Sequence, residues 1–381
     1  MFWRVLLCLS IMAVMIGPMS FSTHALADET ELQPYAVGMR QLHWVDETRE
    51  NWAGNGPRPL VAYLWYPTTE DAEQKLVAFP PDEPIFIGGK AARNAPFLND
   101  DQTRPLVLMS HGTGGSGLQM MWLGRRLASA GYLAVAVNHH GNTAAEPKYD
   151  ARGFRLFWER ATDLTVLLDQ LLAEPELATH IDKNNISAVG FSLGGYTVSA
   201  LGGGRIDFDQ FHAFCESAQR DTTCDDQSEF PDADREFQRL QKIDPRIDIA
   251  LAKHGNSYKD ERIKSVVALA PAIGAAFTPK SLKAINIPFY FIVGGGDTIA
   301  PAASNAQRMA QHIPQSQVDI LNSQAGHYVF LNPCSDVGRK HVSICQDGEG
   351  VVRDELHGKA AQRVLSFLQS TKNGLNEFLS S

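Results

Sequence analysis

The chain has 381 residues, 44% of them hydrophobic, enough to fill the core of one large α/β domain or two small ones. A formal net charge of −9 argues against nucleic acid and against anionic membrane surfaces as partners. Neither quantity specifies an oligomer.

Residues 1–27 read as a secretory signal: Arg4, an apolar run over 5–17, a break at Pro18, and Ala25-Leu26-Ala27 before Asp28. That run is too short to span a bilayer of roughly 30 Å as a helix, so no stable membrane span is expected. The mature chain, 28–381, is then exported, to the periplasm or outside the cell. Cys8 leaves with the signal, and four of five cysteines remain. In an oxidising compartment their spacing favours Cys215–Cys224 and Cys334–Cys345 among three possible connectivities. The alternative is a zinc site, but no pair has the Cys-x-x-Cys spacing of a closed structural centre.

Taken in order, residues 35–45 and 60–66 read as two strands joined by a turn at 51–57. Residues 67–104, with their prolines and charges, read as loop. A short apolar strand at 106–110 precedes a glycine-rich turn and an amphipathic helix near 118–130. A strand at 132–137 and a helix at 157–172 follow. Further strands are expected at 185–191, 263–270, 289–293 and 319–321, and a closing helix at 351–368. This alternation predicts an α/β fold with a mostly parallel sheet covered by helices on both faces. Residues 203–262 interrupt it. They are rich in Asp, Glu, Gln and Arg, hold one cysteine pair, and read as an inserted cap over the mouth of a site.

Within the strand at 185–191 begins Gly190-Phe191-Ser192-Leu193-Gly194-Gly195. A serine at the apex of a strand-turn-helix is forced into a strained conformation, and flanking glycines let the backbones approach. The hydroxyl stands clear of the fold, with a helix N-terminus aimed at it. Ser192 is the candidate nucleophile. The strand at 287–293 runs into Gly294-Gly295-Gly296-Asp297, where a carboxylate can fix an imidazole's tautomer. After the next strand comes Ala325-Gly326-His327-Tyr328, and of twelve histidines His327 alone holds the right place in the order nucleophile, acid, histidine. His139 and His140 are adjacent, point to opposite faces if extended, and read as loop residues rather than metal ligands. The loop Ser110-His111-Gly112-Thr113-Gly114-Gly115 follows a strand where an oxyanion donor is needed, and it lacks the lysine of a phosphate-binding loop. The expected donors are the backbone amides of Thr113 and Leu193, each worth on the order of 3 kcal/mol of barrier.

Taken with Trp65-Tyr66-Pro67, His139-His140-Gly141-Asn142-Thr143 and Ala268-Leu269-Ala270-Pro271-Ala272, these segments resemble bacterial dienelactone-hydrolase-like proteins related to platelet-activating-factor acetylhydrolases. The resemblance runs from about residue 35 to 370. It implies an α/β-hydrolase fold and a serine carboxylic-ester hydrolase with no metal or organic cofactor, acting on a small-molecule or lipid-like ester. It also implies Ser192 as nucleophile, Asp297 as acid and His327 as base. Two departures are visible. Dienelactone hydrolases carry a cysteine where Ser192 stands, and the vertebrate acetylhydrolases place their acid one strand earlier, where this chain has Pro271-Ala272-Ile273-Gly274. Amide or polyester hydrolysis by the same triad, and a catalytically silent binding module on the same fold, are the alternative functions.

Overall fold

A computed structural model of the protein describes residues 35–372 and residue 374; the signal sequence expected at 1–27 lies outside the described residues. Ten strands form a sheet in the order β10-β9-β8-β7-β5-β6-β2-β1-β4-β3. They are β1 (Ala36–Glu50), β2 (Pro57–Thr68), β3 (Lys75–Phe79), β4 (Phe86–Arg93), β5 (Arg104–Ser110), β6 (Leu133–Asn138), β7 (Ile181–Phe191), β8 (Ile263–Leu269), β9 (Phe289–Val293) and β10 (Ser316–Ile320). The run from β6 through β5, β7, β8 and β9 to β10 is parallel throughout. On the other side of β6, β2 pairs antiparallel and forms a long hairpin with β1.

The central strands are near-continuous apolar runs because both of their faces are covered. Alternate residues supply the two cores. Leu106, Leu108, Ile186, Ala188, Val266 and Ala268 face the helices Glu159–Ala173 and Leu193–Leu201. Val107, Met109, Val189, Val267 and Ile292 face the helices Met121–Ser129 and Arg353–Lys372. Ser110, Gly190 and Ala268 stand in register across β5, β7 and β8, so these strands end on one edge. The loops leaving that edge carry Thr113, Ser192, Asp297 and His327, in the crevice where parallel α/β sheets gather their functional groups.

Two expectations change in detail. The stretch 67–104 contains β3 and β4, whose short runs, interrupted by Gly88 and Gly89, give little period-2 signal. The helix expected from 118 opens as a 3₁₀ turn, Gly117–Met120, and turns α-helical at Met121. Residues 203–262 contain three helices, Phe208–Glu216, Ala233–Gln241 and Arg246–Leu251, joined by turns. They are anchored: Asp244 pairs with Arg152 at 2.8 Å, and Arg246 reaches Glu50, the last residue of β1, at 2.9 Å.

Candidate active site

Ser192 sits between β7 and the helix Leu193–Leu201 with φ 54° and ψ −119°, a conformation that costs a non-glycine residue on the order of 1–3 kcal/mol. Four backbone hydrogen bonds hold it there: its amide to Leu269 O at 2.9 Å, and its carbonyl from the amides of Gly195, Tyr196 and Ala272 at 2.8, 3.3 and 3.1 Å. The flanking glycines are required by contact. A Cβ on Gly190 would lie 2.0 Å from Gly194 O, and one on Gly194 would lie 2.0 Å from Ser110 O.

The structure brings the three expected side chains together. His327 Nε2 lies 2.8 Å from Ser192 Oγ, and His327 Nδ1 lies 2.7 Å from Asp297 Oδ2. The other carboxylate oxygen, Asp297 Oδ1, accepts the amides of Ile299 and Ala300 at 2.9 and 2.8 Å, so the carboxyl plane is fixed before it meets the ring. All three residues are buried, and Phe191 packs against the imidazole at 4.9 Å between ring centroids.

The His327 loop is braced from two helices. Trp122 Nε1 donates to Phe330 O at 2.7 Å, and Asn332 Oδ1 accepts the Trp122 amide at 2.9 Å. His357, stacked on Trp122 with centroids 4.1 Å apart, bonds Val329 O through Nε2 at 2.7 Å. Burial pulls the His357 imidazole down to about 3.

The cysteines pair as Cys215–Cys224 and Cys334–Cys345, the two local bridges that the spacing favoured. Arg353 clamps the second, donating to Asn332 O at 3.1 Å and Ile344 O at 2.9 Å. The first does more than close a loop within the insertion. Its loop reaches the loop of Asp297: Thr222 Oγ1 donates to Thr298 O and, at 3.0 Å, to Ile299 O, and Asp221 accepts from Ser304 Oγ. The insertion also touches the glycine-rich loop. Glu229 lies against Gly114, and Tyr149 Oη donates to Gly114 O at 2.8 Å.

Leu193 opens the helix that follows Ser192, and Gly112, just before Thr113, approaches from the other side, where a Cβ would be 3.2 Å from Ser192 Cβ. Neither amide has a hydrogen-bond acceptor among the described residues. The Thr113 amide is aimed by its own peptide plane. The Gly112 carbonyl, antiparallel to it across a trans peptide, accepts from His111 Nδ1 at 2.7 Å. His111 Nε2 in turn accepts the His139 amide at 3.2 Å, which sets the tautomer.

Sequence reasoning missed the layer beneath this loop. Ser110 Oγ, His139 and Asp163 repeat a serine–imidazole–carboxylate chain, with 2.9 Å at both joints. This second chain is sealed at 0–1% exposure and serves as framework. Burial, with Arg160 adding, pulls His139 down to about 3 and His111 well below its usual range, so both rings are neutral at physiological pH. Burial pushes the Asp163 carboxyl up, but Arg58 and Arg49 outweigh it and hold it well below the ordinary range. A signal was present: Arg160 and Asp163 lie on the face of helix Glu159–Ala173 that otherwise carries Ala161, Leu164, Leu167 and Leu168. His139, read as a loop residue, does leave the backbone of β6, yet its ring is a fully buried part of this network.

The fold and the assembled side chains define a class, and comparison with known proteins agrees. The chain belongs to the alpha/beta hydrolase family, whose model matches residues 106–339. In fold it is similar to a ferulic acid esterase from Streptomyces cinnamoneus, with 20% sequence identity, a TM-score of 0.57, and coverage of 87% of this chain and 89% of that one. Curated protein sequences gave no match. Among the described residues no helix is long and apolar enough to cross a membrane.

Proposed function

We propose that the protein is an exported serine hydrolase that cleaves carboxylic esters through an acyl-enzyme, with Ser192 as nucleophile, His327 as base and Asp297 as acid. The observation that carries this reading is the unbroken path from Ser192 Oγ through both ring nitrogens of His327 to Asp297, at 2.8 and 2.7 Å. His327 takes the hydroxyl proton as Ser192 attacks the carbonyl carbon, and Asp297 holds the Nδ1–H tautomer and stabilises the imidazolium. The Thr113 and Leu193 amides receive the tetrahedral oxyanion, their N–H groups having no other acceptor. The proton passes from His327 to the departing alcohol. Water then gives a proton to His327 as its oxygen attacks the acyl carbon; the bond to Ser192 Oγ breaks, His327 returns the proton to Ser192, and the acid leaves.

The insertion 203–262 acts as the cap. Its contacts on the acid loop and on Gly114 support this. Two disulfides suit an exported chain, and the motif resemblance supports the dienelactone-hydrolase-like branch.

The test uses p-nitrophenyl esters of increasing chain length, with a ferulate ester included because of the structural neighbour's activity. Wild type should turn over at least one ester and be labelled at Ser192 by a fluorophosphonate. Ser192→Ala should retain the fold and lose both. Undiminished turnover in that variant refutes the nucleophile, and an unlabelled, inactive wild type would favour a silent binding module.

A further inference from the structure

Arg160 is the least expected side chain in the core. It is 1% exposed, and its partners are all neutral oxygens. Nη2 donates to His111 O and, at 3.3 Å, to Ser110 Oγ; Nη1 lies 3.4 Å from Asn142 Oδ1; Nε lies 3.2 Å from Thr197 Oγ1. The nearby Asp163 carboxylate is already taken by Arg49, Arg58 and His139. Burying an ion without a carboxylate in contact is expensive, so a hydrophobic residue would serve stability better here.

These partners share one property. His111 O opens the loop that carries Thr113. Asn142 Oδ1 also accepts the Gly114 amide, at 2.6 Å, and so holds that loop at its far side. Thr197 Oγ1 spends its single proton on Leu193 O at 3.0 Å, which leaves a lone pair for Arg160. One planar guanidinium therefore touches the supports of both amides assigned to the oxyanion.

We propose that Arg160 is a positioning residue of the oxyanion hole, fixing the Thr113 and Leu193 amides relative to each other and setting a buried positive charge behind them. This rests on the acyl-enzyme reading above. Burial lowers the guanidinium to about 9 against the opposing pull of Asp163, so it keeps its charge at pH 7. In a low-dielectric interior such a charge favours the tetrahedral oxyanion over the neutral ester. The effect falls on the transition state and therefore on kcat.

The experiment compares wild type, R160Q, R160K and T197V on p-nitrophenyl acetate, together with the rate of fluorophosphonate labelling at Ser192. R160Q should lower kcat by about 10²-fold with KM within threefold, and should slow labelling in the same proportion, because phosphonylation uses the same hole. R160K keeps the charge without the fork and should fall between. T197V cuts only the Leu193 arm and should cost about tenfold in kcat. R160Q with a native near-UV spectrum and kcat within threefold of wild type overturns the proposal, as does a loss confined to KM. If R160Q does not fold, T197V and N142A decide: each should lose about tenfold in kcat at constant KM, and two unchanged variants overturn it. A wild type that is not labelled at Ser192 refutes the acyl-enzyme reading itself. Equal labelling of wild type and R160Q refutes the Arg160 role alone.

Discussion

Replacing Asp297 by asparagine alters one atom of a carboxyl group that accepts three hydrogen bonds. The amide has two ways to lie. With its oxygen toward Ile299 and Ala300, both backbone bonds survive and its NH2 group faces His327 Nδ1. Reversed, it strands two buried donors at about 1–3 kcal/mol each, so the first arrangement wins. His327 must then accept at Nδ1 and carry its proton on Nε2, pointed at Ser192 Oγ 2.8 Å away. A ring in that tautomer donates to the nucleophile instead of accepting from it. The expected loss in kcat is about 10⁴-fold, or roughly 5.5 kcal/mol of barrier, with KM little changed. Stability should barely move, because the two backbone bonds remain. Steady-state kinetics on the best p-nitrophenyl ester, with a thermal melt of the same preparation, gives both numbers. A D297N enzyme with more than a tenth of wild-type kcat would refute the assignment and send the search for the acid to the carboxylates of 203–262.

Gly194→Ala would place a Cβ 2.0 Å from Ser110 O and 2.8 Å from His111 O, forcing the nucleophile helix and the oxyanion loop apart by about 1 Å; kcat should fall about 10²-fold, and normal kinetics would contradict the close approach. His139 and His357 are held near 3 in the folded chain, whereas the unfolded chain protonates them near 6.5. The unfolded state therefore binds more protons below about pH 6.5, and their contribution to stability is lost progressively from there toward pH 3; thermal midpoints that stay flat from pH 7.5 to 4.5 would count against it. The Cys334→Ser, Cys345→Ser double variant should lose on the order of 3 kcal/mol of stability by loop-closure entropy, read from urea unfolding. Its activity should decline at urea concentrations where the far-UV signal is still native, and a simultaneous loss of both would mean that the bridge does not act through the His327 loop.

The sheet was legible because its central strands are apolar runs separated by glycine-rich turns, and a parallel sheet covered on both faces leaves that trace. The proximity of Ser192, Asp297 and His327 was legible from motif and chain order: Gly190 and Gly194 beside Ser192 and Gly294 before Asp297 are required by close approach, whereas Gly326 beside His327 has open space around it. β3 and β4 were not, because short strands with a Gly88-Gly89 interruption owe their pairing to tertiary contacts such as Ile87 N to Pro333 O at 2.8 Å. The layer under the oxyanion loop escaped for a different reason. Arg160, Asp163, His139 and His111 are far apart in the chain or ordinary in their neighbourhoods, and only the folded backbone makes them one network. A buried Arg and Asp three apart on an apolar helix stripe was the one clue in the primary structure.

The two disulfides have a joint consequence. One holds the turn at Asp221–Thr222 against the loop of Asp297, and the other closes the loop that follows His327. The Asp297 and His327 loops are thus each buttressed by a bond that forms only where thiols are oxidised. Reduction is therefore expected to slacken the two loops that meet at the imidazole before it disturbs the sheet, since neither bridge joins two of its strands.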